Sequence, residues 1–350
     1  MGLRSGSFHE NYAQDMAIFS SRKQWGILVA FIIFLVACPL FCSDRILTIM
    51  TMIGIAVISV LGLNILTGCC GQISIGHAGF MAVGGYTSAI LCAKLGLPFW
   101  IALPCAALAA GIAGLIFGLP SLKIKGFYLI MATIAAHFII IWFILQLYNL
   151  TGGPDGLAVP KPKIGSLVLK SKASYFYLVM VIAFLATFLA INIIRTRAGR
   201  AFVAVRDNDL AAEVMGVNLW SYKLQAFFIG CVYAGVAGSL LVHYYAFASV
   251  DQFPFMDSVW YLGMLIVGGT GNTTGAIFGA VSLKLLDELV TIVGPILSKA
   301  VAAQAAASLA LITRGLVIIL FLIFEPRGLA HRWGMVKAYF RLWPFSHEEF

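Results

Sequence analysis

Between Thr67 and Tyr86 the chain reads TGCCGQISIGHAGFMAVGGY, with six glycines in twenty residues and strongly apolar runs on either side. Few patterns constrain a fold as tightly. Glycine lets a backbone bend and lets helices approach closely. A hydrophobic segment that also carries Gln72, Ser74 and His77 makes a poor plain anchor. In hydrocarbon every backbone polar group must be satisfied inside the protein, and polar side chains there face protein or a water-filled cavity. The segment points to a route through a bilayer.

The rest of the chain agrees with a bilayer setting. Of 350 residues, 61% are hydrophobic and 11% charged, with a mean hydropathy of +0.97. A soluble chain carries about 25% charge, so this one lacks the polar surface to cover a water-soluble body. The implied fold class is all-α and polytopic, with glycine-broken helices. The net charge of +9 fits basic loops beside a membrane better than nucleic-acid binding, because no basic footprint accompanies it. The seven cysteines form no CxxC pair and no zinc-ligand spacing with histidine, so they read as small buried hydrophobes.

Ten membrane segments are expected, at roughly 25–42, 48–66, 74–93, 99–119, 127–148, 174–194, 223–245, 255–270, 273–297 and 303–324. They form a transmembrane domain over 25–326, between a leader at 1–24 and a tail at 327–350. The first apolar run reads as a retained span, since it lacks an A-x-A cleavage site. Two breaks stand out. The first holds Gly68, Gly71, Gly76, Gly79, Gly84 and Gly85; the second, GGTGNTTG, holds Gly268, Gly269, Gly271 and Gly275. Glycine interruptions in both halves mark transport sites in repeated folds, although no sequence repeat is visible here. With both termini cytoplasmic, 14 of the 23 basic residues fall on the cytoplasmic side. The four lysines at 161–172 oppose that bias.

The longest cytoplasmic connection is RTRAGRAFVAVRDNDLAAEVMGVNLWSYK, Arg195 to Lys223. Asp207, Asn208 and Asp209 form a capping cluster, Leu210 to Met215 form a short helix, and Gly216 closes it. Leu210 and Val214 share a face, with Ala211 and Met215 beside them. Arg200 and Arg206 precede this helix. The segment reads either as a membrane-surface connector whose arginines meet lipid phosphates or as a docking helix for a cytoplasmic partner, which its length favours.

Several blocks resemble one family. GLNILTGCCGQISIGHAGFMAVGGYTSAIL (Gly62 to Leu91), KIKGFYLIMATIA (Lys123 to Ala135), LTGGPDGL (Leu150 to Leu157), RTRAGRAFVAVRDNDLAAEVMGVN (Arg195 to Asn218), VGGTGNTTGAIFGA (Val267 to Ala280) and TRGLVIILFLIFEPRGL (Thr313 to Leu329) are similar, in order, to LivM-type permeases. These are the inner-membrane subunits of branched-chain amino acid ABC importers. The resemblance implies a bacterial inner-membrane protein that pairs with a second permease subunit, two cytoplasmic ATP-binding subunits and a periplasmic amino-acid-binding protein. It also implies that Arg195–Lys223 engages an ATPase. Cys69-Cys70 departs from the family pattern.

The chemistry agrees. The chain has no GxxxxGK[ST] phosphate loop, and the dipeptide Gly-Lys never occurs. ATP is therefore expected on a partner subunit, with no cofactor and no metal in this chain and no catalytic residues. A zwitterionic amino acid carries two charges that are costly in hydrocarbon. Gln72, Ser74 and His77 offer donors and acceptors on its path, although Ser74 and His77 also read as helix-packing residues. His137 and His243 read as satisfied interface histidines. Lys284 and Glu288, four apart, form a self-neutralising pair. Two rivals remain: a secondary transporter coupled to ions through Asp287 and Glu288, and a membrane enzyme built on His77 or His137. Related permeases also serve urea, short amides and other amino acids.

Overall fold

A computed structural model describes residues 22–119, 126–164, 167–168, 171–298, 312, 315–316, 318–321, 323–325 and 328–342. The α-helices longer than one turn are α1 (Arg22–Phe41), α2 (Asp44–Leu63), α3 (His77–Ala93), α4 (Phe99–Gly118), α5 (Phe127–Gln146), α6 (Lys172–Arg195), α7 (Arg197–Asp207), α8 (Asp209–Val214), α9 (Leu219–Tyr245), α10 (Phe255–Gly268), α11 (Thr273–Ser298) and α12 (Leu329–Leu342). Four two-residue strands form two small antiparallel pairs. One joins Leu157–Ala158, just after α5, to Phe247–Ala248, just after α9.

Helix α9 is the axis of the bundle. It packs against α2, α3 and α4, and most of its apolar length is buried. Without a hydrophobic driving force between helices in lipid, close van der Waals packing has to hold them, and small residues permit it. The contacts show this. A Cβ at Gly84 of α3 would lie 2.5 Å from the Gly235 carbonyl oxygen of α9, and one at Gly85 would lie 2.8 Å from Val242 Cγ2. Buried tyrosines add polar ties between α6 and α9: the Tyr233 hydroxyl donates to Ala186 O at 2.8 Å, and the Tyr175 hydroxyl donates to Leu240 O at 2.5 Å. The exposed side is equally legible. Helix α5 buries Leu129, Thr133, Ala136, His137, Ile140 and Ile144 along one stripe and exposes Phe138, Ile139, Trp142 and Phe143 on the other.

Both glycine-rich breaks are present. Helix α2 passes into a π-helical stretch, Asn64–Cys69, and the chain then runs without helix from Gly71 until α3 begins at His77. The second break lies between Gly268, the last residue of α10, and Thr273, the first of α11. Each break shortens a neighbouring helix. Segment 74–93 contracts to the 17 residues of α3, and 255–270 contracts to the 14 residues of α10. Among the described residues five helices are long and apolar enough to cross a membrane: Asp44–Cys69, Phe99–Gly118, Phe127–Gln146, Lys172–Arg195 and Leu219–Tyr245. Most of the leader at 1–24 and of the expected span at 303–324 lies outside the described residues, as do Lys123, Lys125 and the end of the 327–350 tail.

One pairing differs from the sequence expectation. Glu288 does not neutralise Lys284. It accepts from Arg45 Nε of α2 at 2.8 Å, while Lys284 lies 4.0 Å from Asp287. The i,i+4 spacing suits a local pair, but α2 lies against α11 and brings a guanidinium within reach. Asp287 also accepts from the Trp260 indole N–H at 3.1 Å.

Candidate coupling site where the helix breaks meet

Helix α7 is amphipathic. It buries Gly199, Ala201, Phe202 and Val205, and Thr196 caps it by accepting from Gly199 N at 3.3 Å. Phe202 is fully buried and meets Tyr222 edge-to-face. This packing fixes Arg206 at the helix end. Its Nη1 donates to the Gly68 carbonyl oxygen at 3.0 Å, and Nε and Nη2 both reach Asp207 Oδ1, at 3.0 and 2.9 Å.

The same carbonyl belongs to a junction of both breaks. Asn64 Oδ1, in the π-helical stretch, accepts from Gly271 N at 2.8 Å. Gly271 has φ +80°, and a Cβ there would meet Arg206 Nη1 at 2.7 Å; a Cβ at Gly68 would meet Gly271 N at 2.5 Å. Gly71, with φ +73°, lies against the Arg206 side chain. These positions need glycine for backbone conformation and for closeness. The first break, the second break and the end of α7 thus share one contact.

The start of α3 is satisfied by other helices. Its N-cap, Gly76, has no side chain to offer. Instead Thr133 Oγ1 of α5 accepts from Ile75 N at 3.1 Å, and Ser258 Oγ of α10 accepts from Ala78 N at 2.9 Å. The orphan N–H groups of a helix start buried in a bundle require such partners. Neither Thr133 nor Ser258 stands out in sequence. Asn64 does, as an amide inside an apolar run, and that signal was available.

The three polar residues singled out in sequence are all buried, among different neighbours. Gln72 lies with the α7–α8 segment: its Nε2 donates to Lys223 O at 3.1 Å, and Lys223 Nζ is 3.7 Å from Asp209 at the start of α8. Ser74 and His77 are both about 1% exposed. Among the described residues, Gln72 Oε1, Ser74 Oγ and His77 Nε2 are buried without a hydrogen-bond partner. The His77 ring meets Tyr261 edge-to-face at 6.2 Å. His243 is satisfied, as expected, by Ser88 Oγ at 2.8 Å and Pro160 O at 3.3 Å, whereas His137, expected to be satisfied too, buries its Nδ1 without a hydrogen-bond partner among the described residues, because its neighbours Phe138 and Phe255 meet it edge-on and offer no polar atom.

The capping cluster divides its work. Asn208 Oδ1 caps α8 by accepting from Ala211 N at 3.0 Å, Asp207 holds Arg206, and Asp209 faces Lys223. Gly216, at φ +85°, closes the helix by donating to Glu213 O at 2.9 Å. Arg200 turns back to donate to Arg195 O at 3.2 Å, away from α8. The surface of α8 is apolar and open: Leu210 is 67% exposed, Val214 86% and Met215 83%. Three large apolar side chains on and beside one short helix form a ridge of the kind that marks a protein contact.

A match to the family model of the branched-chain amino acid transport system permease component covers residues 45–322. The chain belongs to that family. This permease is 30% identical to the high-affinity branched-chain amino acid transport system permease protein LivM of Escherichia coli K12, over 89% of this chain and 76% of the relative. It is 26% identical to a probable LivM of Methanocaldococcus jannaschii, over 65% of this chain and 67% of the relative. It is also 24% identical to the LivH permease protein of Salmonella typhimurium, over 65% of this chain and 79% of the relative. No solved structure matches it. The permease is a multi-pass membrane protein, and the family is a transport component without catalysis of its own.

Proposed function

We propose that this permease is the translocating subunit of an ATP-driven importer of branched-chain amino acids in the bacterial inner membrane. It works beside a second permease subunit, with two ATP-binding subunits on the cytoplasmic side and a binding protein delivering substrate from the periplasm. Both termini and the α7–α8 segment face the cytoplasm. ATP stays on the partners, and this chain holds no cofactor.

The observation that carries this reading is the union of an exposed apolar ridge with the two helix breaks. Leu210, Val214 and Met215 offer an ATPase a surface. Just upstream of Leu210, Arg206 grips Gly68 beside Gly271. A force on α8 therefore reaches the breaks through one guanidinium. Broken helices re-aim more readily than continuous ones, because their backbone bonds at the break are already made by side chains. Glycines along α3 then let that helix shift against α9, and Gln72, Ser74 and His77 supply polar atoms on the path.

The test is reconstitution of the complete system, with both permeases, ATPases and binding protein, in proteoliposomes. ATP-dependent uptake of labelled leucine is expected. Accumulation of urea or a short amide without leucine would overturn the substrate, and ion-driven uptake by this chain alone would overturn the class.

A further inference from the structure

Away from the helix breaks, α2, α9, α10, α11 and the connection between α9 and α10 line a cavity of about 330 Å³. Its lining explains what it can hold. One wall is aliphatic, built from Met52, Ile55 and Leu241. Asp251, Asp257 and Lys284 line the same cavity and bring it two carboxylates and one ammonium. Gln252 is beside them, with its Oε1 buried and without a hydrogen-bond partner among the described residues. The volume falls within the usual range for small-molecule sites, about 300–1,000 Å³.

We infer that this cavity is a binding site for a free zwitterionic amino acid with an aliphatic side chain, occupied on the way from the binding protein to the helix breaks. Asp257 and Asp251 receive the α-ammonium group, Lys284 receives the α-carboxylate, and the Met52–Ile55–Leu241 wall receives the side chain. A ligand charge leaving water needs a partner, and a ligand with both signs meets both the carboxylates and the Lys284 ammonium, which also lies 4.0 Å from Asp287. Urea or a short amide hydrogen-bonds to such groups but brings no opposite charge to either. The aliphatic wall excludes a charged side chain for the same reason. This assignment rests on the proposed transport function and adds to it a site within the permease itself.

Depth supports the route. Met52 lies twelve residues before Asn64 along α2, about 18 Å at helical rise, so the cavity is set apart from the breaks along the bundle. Between them stands Tyr261. It lines the cavity and is only 7% exposed, and its ring meets His77 edge-to-face. His77 in turn begins α3, the helix after the first break. A ligand leaving the cavity inward therefore meets Tyr261 first and His77 next.

The experiment places one reporter thiol in the aliphatic wall, Leu241→Cys, in the complete complex in nanodiscs with its native cysteines, seven of them in this chain, replaced by alanine or serine, and follows its labelling by a membrane-impermeant methanethiosulfonate. Saturating leucine is expected to slow labelling, whereas urea and glutamate leave it unchanged. Asp257→Asn in the same background shifts the protecting leucine concentration upward by roughly tenfold. Met52→Cys serves as an independent reporter if Leu241→Cys disturbs assembly. Equal labelling rates with and without leucine overturn the site, and so does failure of both thiols to react, since the cavity is then closed to the outside. Protection by urea overturns the zwitterion assignment. Leucine uptake by the unmodified complex is measured separately, so a failed transport function is distinguished from a failed site.

Discussion

Arg206 Nη1 donates to the carbonyl oxygen of Gly68 at 3.0 Å across 138 residues of sequence. No other bond among those described links the α7–α8 segment to the backbone of a helix break so directly. Its partner in the second break, Gly271, is close enough that a single added carbon would meet the same guanidinium nitrogen.

Arg206→Ala is expected to uncouple the importer. The side chain is about a third exposed, so its loss costs only about 1 kcal/mol of stability, below the usual range for a hydrogen bond to a charged group. Transport should fall about tenfold, while ATPase association and basal hydrolysis persist. Arg206→Lys should not restore uptake, because an ammonium cannot span Gly68 O and Asp207 with a planar fork. Uptake and hydrolysis measured together in proteoliposomes check this.

Leu210→Arg and Val214→Asp act on the ridge alone. Both side chains are largely exposed, so the permease should keep its thermal stability within about 0.5 kcal/mol. Co-purification of the ATP-binding subunit should be lost. Undiminished association and uptake would remove the docking role of α8.

Gly271→Ala forces a left-handed residue to carry a Cβ and drives it against Arg206. Destabilisation of more than about 1 kcal/mol is expected. Asn64→Ala instead strips the acceptor from Gly271 N, at about 1–3 kcal/mol if the N–H stays dry. Thermal unfolding of the purified complex reads both, and the double variant should cost less than the sum because the two share one contact.

Glu288→Gln separates ATP-driven from ion-coupled transport. The Arg45–Glu288 pair is partly exposed, with Arg45 at 60%, so its loss should change stability by less than about 1 kcal/mol. Leucine uptake under ATP should be unchanged, and dissipating the proton gradient should leave it unchanged as well. Loss of uptake in this variant would point to ion coupling.

Much of this arrangement was legible in sequence because glycine is chemically singular. Gly71 and Gly271 advertise positive φ, and Gly84 advertises a close helix contact, with no other residue able to replace them. The α8 helix was equally plain from Asn208, Leu210, Val214 and Gly216. Helix α7 was not, because Arg197, Arg200 and Arg206 obscure the buried stripe of Gly199, Ala201, Phe202 and Val205. The Glu288 pairing was hidden because spacing along one helix says nothing of Arg45 on another. The far cavity was invisible for the same reason: Met52, Leu241, Asp257 and Lys284 come from four separate helices.

The borrowed cap of α3 has a consequence for biogenesis. The N–H groups of Ile75 and Ala78 wait for Thr133 and for Ser258, which is made some 180 residues after Ala78. Until α10 emerges from the ribosome, the start of α3 cannot be sealed against lipid and must stay hydrated or shielded by the insertion machinery. The helices before α10 are therefore no autonomous folding unit. A ribosome halted before Ser258 should leave a chain whose glycine break remains a ready target for membrane quality-control proteases.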